Sequence, residues 1–144
     1  MKAKKRIIWI DDDINRLFLR PYIDELEESG FDIIKVMKAD DVDNILQNVI
    51  TDTLTAIIID ISMPPGEKIS FSEARGGLRT GKIILERLLS DESVSNVTKI
   101  VFTQAEDPVV EQYCMDNNIP YLKKEDFFSD EFVDVIMALI NKDK

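Results

Sequence analysis

Histidine is missing altogether from this chain, cysteine occurs once, and glycine and proline occur five times each in 144 residues. Without imidazole there is no Ser-His-Asp or Cys-His nucleophile, no zinc-finger ligand set and no imidazole acid or base. Any hydrolytic or phosphoryl chemistry must run on carboxylates, hydroxyls and lysine. The lone Cys114 cannot close a disulfide within the chain, which suits a reducing compartment, and it reads as a small apolar residue packed in a helix rather than a reactive thiol. No apolar run approaches the roughly 18 residues of a membrane span, and residues 1–6 lack the apolar centre of a signal peptide, so a cytoplasmic protein without a membrane partner is expected. Basic residues are the scarcer charge, 18 Lys plus Arg against 28 Asp plus Glu, for a net charge of −10. That balance argues against direct nucleic-acid binding, which draws its affinity from phosphate neutralisation, and suits a protein that handles cations or basic partners.

What the chain does have is rhythm. Short apolar runs at residues 5–10 (KRIIWI), 31–37 (FDIIKVM), 55–59 (TAIII), 99–102 (KIVF) and 119–122 (IPYL) read as strands. The runs IIWI and AIII lack polar alternation, as strands covered by helices on both faces do, whereas Asp32 and Lys35 place 31–37 nearer a sheet edge. Between the runs lie amphipathic stretches. Residues 17–29 stop at Gly30, and Pro21 must open that helix late or kink it; residues 40–50 carry Val42, Ile45, Leu46 and Val49 at helical spacing. Ile83, Ile84, Leu85, Leu88 and Leu89 stripe a third helix, residues 108–117 form a fourth with Asp107 as N-cap, and Ser129 caps the last. Five βα units in series, with a hydrophobic fraction of 44%, predict one α/β doubly wound domain over residues 1–144. One stretch breaks the pattern: four of the five glycines, Gly66, Gly76, Gly77 and Gly81, fall in an extended connection at about 64–81 between the third strand and the third helix.

In parallel α/β sheets ligands bind beyond the carboxyl ends of the strands, so the residues just after each apolar run are the informative ones. Here they are Asp11, Asp12 and Asp13 after the first strand, Asp60 after the third, Thr103 at the end of the fourth and Lys123-Lys124 after the fifth. If the first and third strands are neighbours, at least three carboxylates meet at one rim, and such a cluster needs a compensating cation. Mg²⁺ fits, since it takes hard oxygen ligands and partners phosphate oxygens. Carboxylate, divalent ion, hydroxyl and ammonium around one point are what a transferring phosphoryl group requires.

The strings IIWIDDD, IIIDISMPPG, KIVFTQA and PYLKKEDF, in that order and at the strand ends, resemble the receiver domain of two-component response regulators, including its stand-alone single-domain form. The resemblance spans nearly the whole chain. It implies a flavodoxin-like five-stranded parallel sheet of order 2-1-3-4-5 with helices on both faces. It also implies a regulatory phosphoacceptor rather than an enzyme acting on other substrates. By the same resemblance Asp60 is the phosphoacceptor; Asp11, Asp12, Asp60 and the Ser62 backbone carbonyl hold Mg²⁺; Thr103 and Lys124 bind the phosphoryl group; and Tyr121, with Thr103, is a switch residue. The implied partners are a histidine kinase or histidine phosphotransfer protein, which supplies the imidazole this chain lacks, and an unidentified downstream protein. No output region follows the last helix, so output through protein–protein contacts, or carriage within a phosphorelay, is expected.

Three features depart from the pattern. Glu125 follows Lys124 where the family usually has proline, Gln104 follows Thr103 where it prefers a very small residue, and the long loop replaces a tight turn beside Asp60. The loop is expected to be a lid, a docking surface or a simple insertion. Trp9 reads as core, near enough to Asp11 to report metal binding, and Asp13 reads as an N-cap rather than a metal ligand. The segment from Gly76 to Lys82 looks like a P-loop, but Ile83 stands where the Mg²⁺-binding hydroxyl belongs. Ser62 likewise stands where a dehalogenase-type phosphatase needs its second carboxylate. The rival reading is a receiver-like interaction module that works without phosphorylation.

Overall fold

A computed structural model describes residues 4–49 and 51–142. The reading of residues 1–3 and the expected end of the second helix at Ile50 lie outside the described residues. Strands β1 (Lys5–Ile10), β2 (Phe31–Val36), β3 (Leu54–Ile59), β4 (Thr98–Thr103) and β5 (Tyr121–Lys123) form one sheet of order β2-β1-β3-β4-β5, with every neighbouring pair parallel. The run with Asp32 and Lys35 is one of the two edge strands, as its polarity predicts.

Because strand side chains alternate, each central strand feeds two cores. Ile8, Ile10, Ile57 and Ile59 point to one face, where they meet α2 (Val42–Asn48), α3 (Thr80–Leu89) and α4 (Pro108–Asp116) through Val42, Ile84, Leu85, Leu88, Val110 and Cys114. Ile7, Trp9, Ala56, Ile58, Ile100 and Phe102 point to the other, against α1 (Arg20–Glu28) and α5 (Ser129–Lys142). There Trp9 is fully buried among Phe102 and Phe132, with ring centroids 6.0 and 5.7 Å away. Apolar runs without alternation are therefore required, since either face of these strands is interior.

The boundaries differ from the sequence pattern where local chemistry intervenes. The fifth strand begins at Tyr121 rather than Ile119, because Pro120 has no N–H to give the ladder and only its carbonyl takes part, accepting from Val101 N at 2.9 Å. The first helix starts at Arg20 rather than residue 17: Leu17–Leu19 form a 3-10 turn and Pro21 occupies the first turn, where its missing N–H costs nothing. Asp107 caps α4 as expected, accepting from Val109 N and Val110 N at 3.1 and 3.4 Å. Ser129 is the first residue of α5 rather than its cap, and Glu131 takes the Phe128 N–H at 3.0 Å.

The long β3–α3 connection has a fixed shape. Ile69 and Ala74 are buried in the core, and the Asp40 carboxylate accepts the N–H groups of Glu67 and Lys68 at 3.0 Å. Gly76 and Gly77 adopt φ of 69° and 105°, conformations open to glycine without strain, and bend the chain back so that the Gly77 carbonyl accepts from Met63 N at 3.0 Å.

Candidate functional site

Strand register assembles the site. Ile10 pairs with Ile59, so Asp11 and Asp60 leave adjacent strands side by side; the ladder continues past them through Asp60 N to Ile10 O (2.9 Å) and Asp11 N to Val36 O (3.0 Å). On the far side of β3, Thr103 ends β4 and pairs with Lys123, which puts Lys124 one residue beyond. Asp11, Asp60, Thr103 and Lys124 are all buried, while Asp12 is half-buried. The Lys124 ammonium donates to Asp11 Oδ2 at 2.7 Å and to Asp60 Oδ2 at 3.2 Å, and the Thr103 hydroxyl donates to Asp60 Oδ1 at 2.5 Å. Both oxygens of Asp60 are thus held, one by a donor at the end of β4 and the other by a donor just past β5.

The electrostatics follow from this crowding. Burial, then the neighbouring Asp60 charge, push the Asp11 carboxyl up from an ordinary 3.8 to about 6 despite its contact with Lys124. Asp12 is also raised, first by burial and then by Asp13 and Asp60. Burial works against the Lys124 ammonium, yet the pull of Asp60 and Asp11 outweighs it and its pKa is raised. One ammonium among three carboxylates leaves excess negative charge. Oxygens of Asp11, Asp12 and Asp60 lie within 4.8 Å of one another, an all-oxygen donor set that fits a hard divalent cation.

The remaining expected residues sit nearby in different roles. Ser62 is exposed on the wall of a cleft of about 430 Å³ over Asp60, which Thr103 and Gln104 also line. Tyr121 is half-buried and its hydroxyl donates to Ala105 O at 2.6 Å, while Ala105 N donates to Thr103 Oγ1 at 3.1 Å. Burial pushes the Tyr121 phenol well above its usual range, so it stays a neutral donor. Lys124 is well aimed with Glu125 after it, because residues Lys124–Asp126 form a 3-10 turn that directs the ammonium into the sheet end. The Phe18 ring, 5.7 Å away, covers that ammonium.

Asp13 is not a helix cap: its carboxylate pairs with Arg16 at 3.3 Å and also borders the cleft. In the P-loop-like segment, Lys82 is committed to Glu86 at 3.2 Å and to the Tyr113 ring at 4.7 Å. Two features escaped sequence reasoning. Arg79, just before α3, forms a sheltered two-bond pair with Asp107 (2.7 and 3.2 Å), and Leu78 lines the cleft. Asp107 is visible in the sequence as a cap, but its partner lies 28 residues upstream. Gly81 brings α3 against the site, since a Cβ there would stand 2.2 Å from the Asp60 carbonyl oxygen.

No protein-family model and no curated protein matches the sequence. Solved structures share the fold. A CheY-like response regulator receiver domain protein from Methanospirillum hungatei superposes with a TM-score of 0.72 at 17% identity, over 98% of this chain and 97% of that one. The signal receiver domain of an HD domain-containing protein from Pseudomonas fluorescens gives 0.73 at 14%, over 98% of each. A response regulator receiver domain protein from Clostridium thermocellum gives 0.69 at 20%, over 96% and 95%. The chain therefore has the flavodoxin-like receiver fold expected from its sequence, with the expected strand order.

Proposed function

We propose that this protein is a phosphorylation-operated signalling switch that accepts a phosphoryl group on Asp60. The observation that carries the reading is the clamping of Asp60 by the Thr103 hydroxyl and the Lys124 ammonium beside two further carboxylates, at the sheet end of a receiver fold. The donor is a phosphohistidine of a histidine kinase or phosphotransfer protein. Asp60 is the nucleophile: an oxygen bonds to phosphorus as the phosphorus–nitrogen bond breaks, and the released imidazole takes a proton from solvent. Asp11, Asp12, Asp60 and the Ser62 carbonyl would hold Mg²⁺, which when bound offsets charge on the phosphoryl oxygens. Lys124 and Thr103 supply donors within reach of those oxygens.

The product adds about two negative charges beside Lys124 and Thr103. Thr103 must then trade its bond to Asp60 for one to the phosphoryl group, and Ala105 N, bonded to the same hydroxyl, is drawn along. Ala105 O is where the Tyr121 hydroxyl is held, so a shift there biases the position of Tyr121. Output passes through protein contacts of this surface, within a cytoplasmic domain spanning residues 1–144.

The test is intact-protein mass and Trp9 fluorescence after incubation with acetyl phosphate or beryllofluoride plus Mg²⁺. Wild type is expected to gain an adduct that Asp60→Asn does not. Absence of any adduct on folded wild-type protein would instead support the phosphorylation-independent interaction module.

A further inference from the structure

Among the described residues, the β3–α3 connection supplies the one apolar side chain larger than alanine in the lining of the Asp60 cleft, Leu78. Its position is set from both sides. Before it, the Gly77 carbonyl accepts from Met63 N at 3.0 Å, and after it Arg79 N donates to Ala74 O at 2.8 Å while the Arg79 guanidinium grips Asp107. Thr80 adds a bond from its hydroxyl to Met63 O at 2.5 Å. Asp107 closes the loop that runs on from Thr103, so the Arg79–Asp107 pair ties the wall bearing Leu78 to the wall bearing Gln104. Asp60 is itself only 6% exposed, with its oxygens taken by Thr103 and Lys124, and the cleft is its route to water.

We propose that Leu78, held at the cleft by the Arg79–Asp107 pair, sets how slowly a phosphoryl group on Asp60 is lost to water. The inference rests on Asp60 being the acceptor. Hydrolysis requires a water oxygen to bond to phosphorus as the bond to the Asp60 oxygen breaks, which restores the carboxylate and releases inorganic phosphate and a proton to solvent. A water poised for that attack needs polar partners. An isobutyl group on the wall offers none and narrows the cleft, whereas a shorter or polar side chain would admit and orient the water. Arg79 is a positioning residue in this scheme.

The experiment measures the decay of the adduct formed with acetyl phosphate and Mg²⁺, by intact mass, in wild type, Leu78→Ala, Leu78→Met, Arg79→Gln and Asp107→Asn. Leu78 is 63% exposed, so its truncation leaves the core intact, and asparagine keeps the α4 cap while removing the charge. Leu78→Ala is expected to hydrolyse about threefold to tenfold faster, a barrier change of about 0.7–1.4 kcal/mol, with Leu78→Met close to wild type. Arg79→Gln and Asp107→Asn are expected to accelerate decay in the same direction, and to add nothing in a Leu78→Ala background, because their effect passes through Leu78. An adduct whose lifetime is unchanged in Leu78→Ala overturns this inference and leaves Asp60 as acceptor. Additive effects of Arg79→Gln and Leu78→Ala overturn the role of the ion pair. No adduct on wild type overturns both readings.

Discussion

In the metal-free protein, replacing Asp11 by asparagine should shift stability in the variant's favour as pH rises. Asp11 is fully buried, and its carboxyl is raised from 3.8 to about 6, first by burial and then by Asp60. A carboxyl raised by folding is protonated more readily in the folded state. Its contribution to stability is full below its ordinary value near 3.8 and is lost as pH climbs past about 6. At about 1.4 kcal/mol per pH unit, ionised Asp11 costs the folded protein about 3 kcal/mol at neutral pH. Asparagine keeps the shape and carries no charge to bury, while Lys124 retains Asp60 as a partner. Urea unfolding of wild type and Asp11→Asn in chelator, between about pH 4 and pH 7.5, should show the difference moving in the variant's favour by about 2–3 kcal/mol across the range. Comparing two pH values in one pair of proteins cancels any constant loss from the Lys124 and Asp13 hydrogen bonds. Saturating Mg²⁺ should stabilise wild type more than the variant, which has one carboxylate fewer to offer the ion. A difference flat with pH to within about 1 kcal/mol, or one that moves against the variant, would refute the claim that this rim is overcharged without a cation.

Gly81→Ala forces a methyl to within 2.2 Å of the Asp60 carbonyl oxygen, so α3 must move away from the site. Unfolding should be easier by about 1–3 kcal/mol, with adduct formation at Asp60 impaired, and an unchanged urea midpoint would sink this account. Cys114 is buried and its thiol is pushed up to about 11, first by burial and then by Glu111, so at pH 8 it stays protonated. Native protein should react with an alkylating reagent at least about a hundredfold more slowly than urea-unfolded protein; equal rates would show an open thiol.

Much of the fold was legible because burial on two faces leaves a mark that one face does not. IIWI and AIII read as interior strands and are, and Asp32 and Lys35 marked one of the two edge strands. Asp11, Asp12, Asp60, Thr103 and Lys124 were legible for a related reason: polar residues that end apolar strands of a parallel sheet come to one rim. Helix starts were harder to place. Asp13 has the chemistry of a cap, but a 3-10 turn and Pro21 delay α1 until Arg20, and the Asp13 carboxylate faces Arg16 and the cleft instead. The fifth strand was displaced by the proline whose missing N–H cannot join the ladder.

The sequence by itself determined the βα rhythm, the acidic rim and the lack of any imidazole, because periodicity and residue chemistry are local properties. Only the tertiary structure decided how those groups share charge. It set one ammonium between Asp11 and Asp60 and bonded the Tyr121 hydroxyl to Ala105 rather than to the site. It also turned a glycine-rich connection into a wall of the cleft pinned by Arg79 to Asp107. Those contacts join residues far apart in the chain, and their distances depend on how strands register and loops pack, which no run of neighbouring residues encodes.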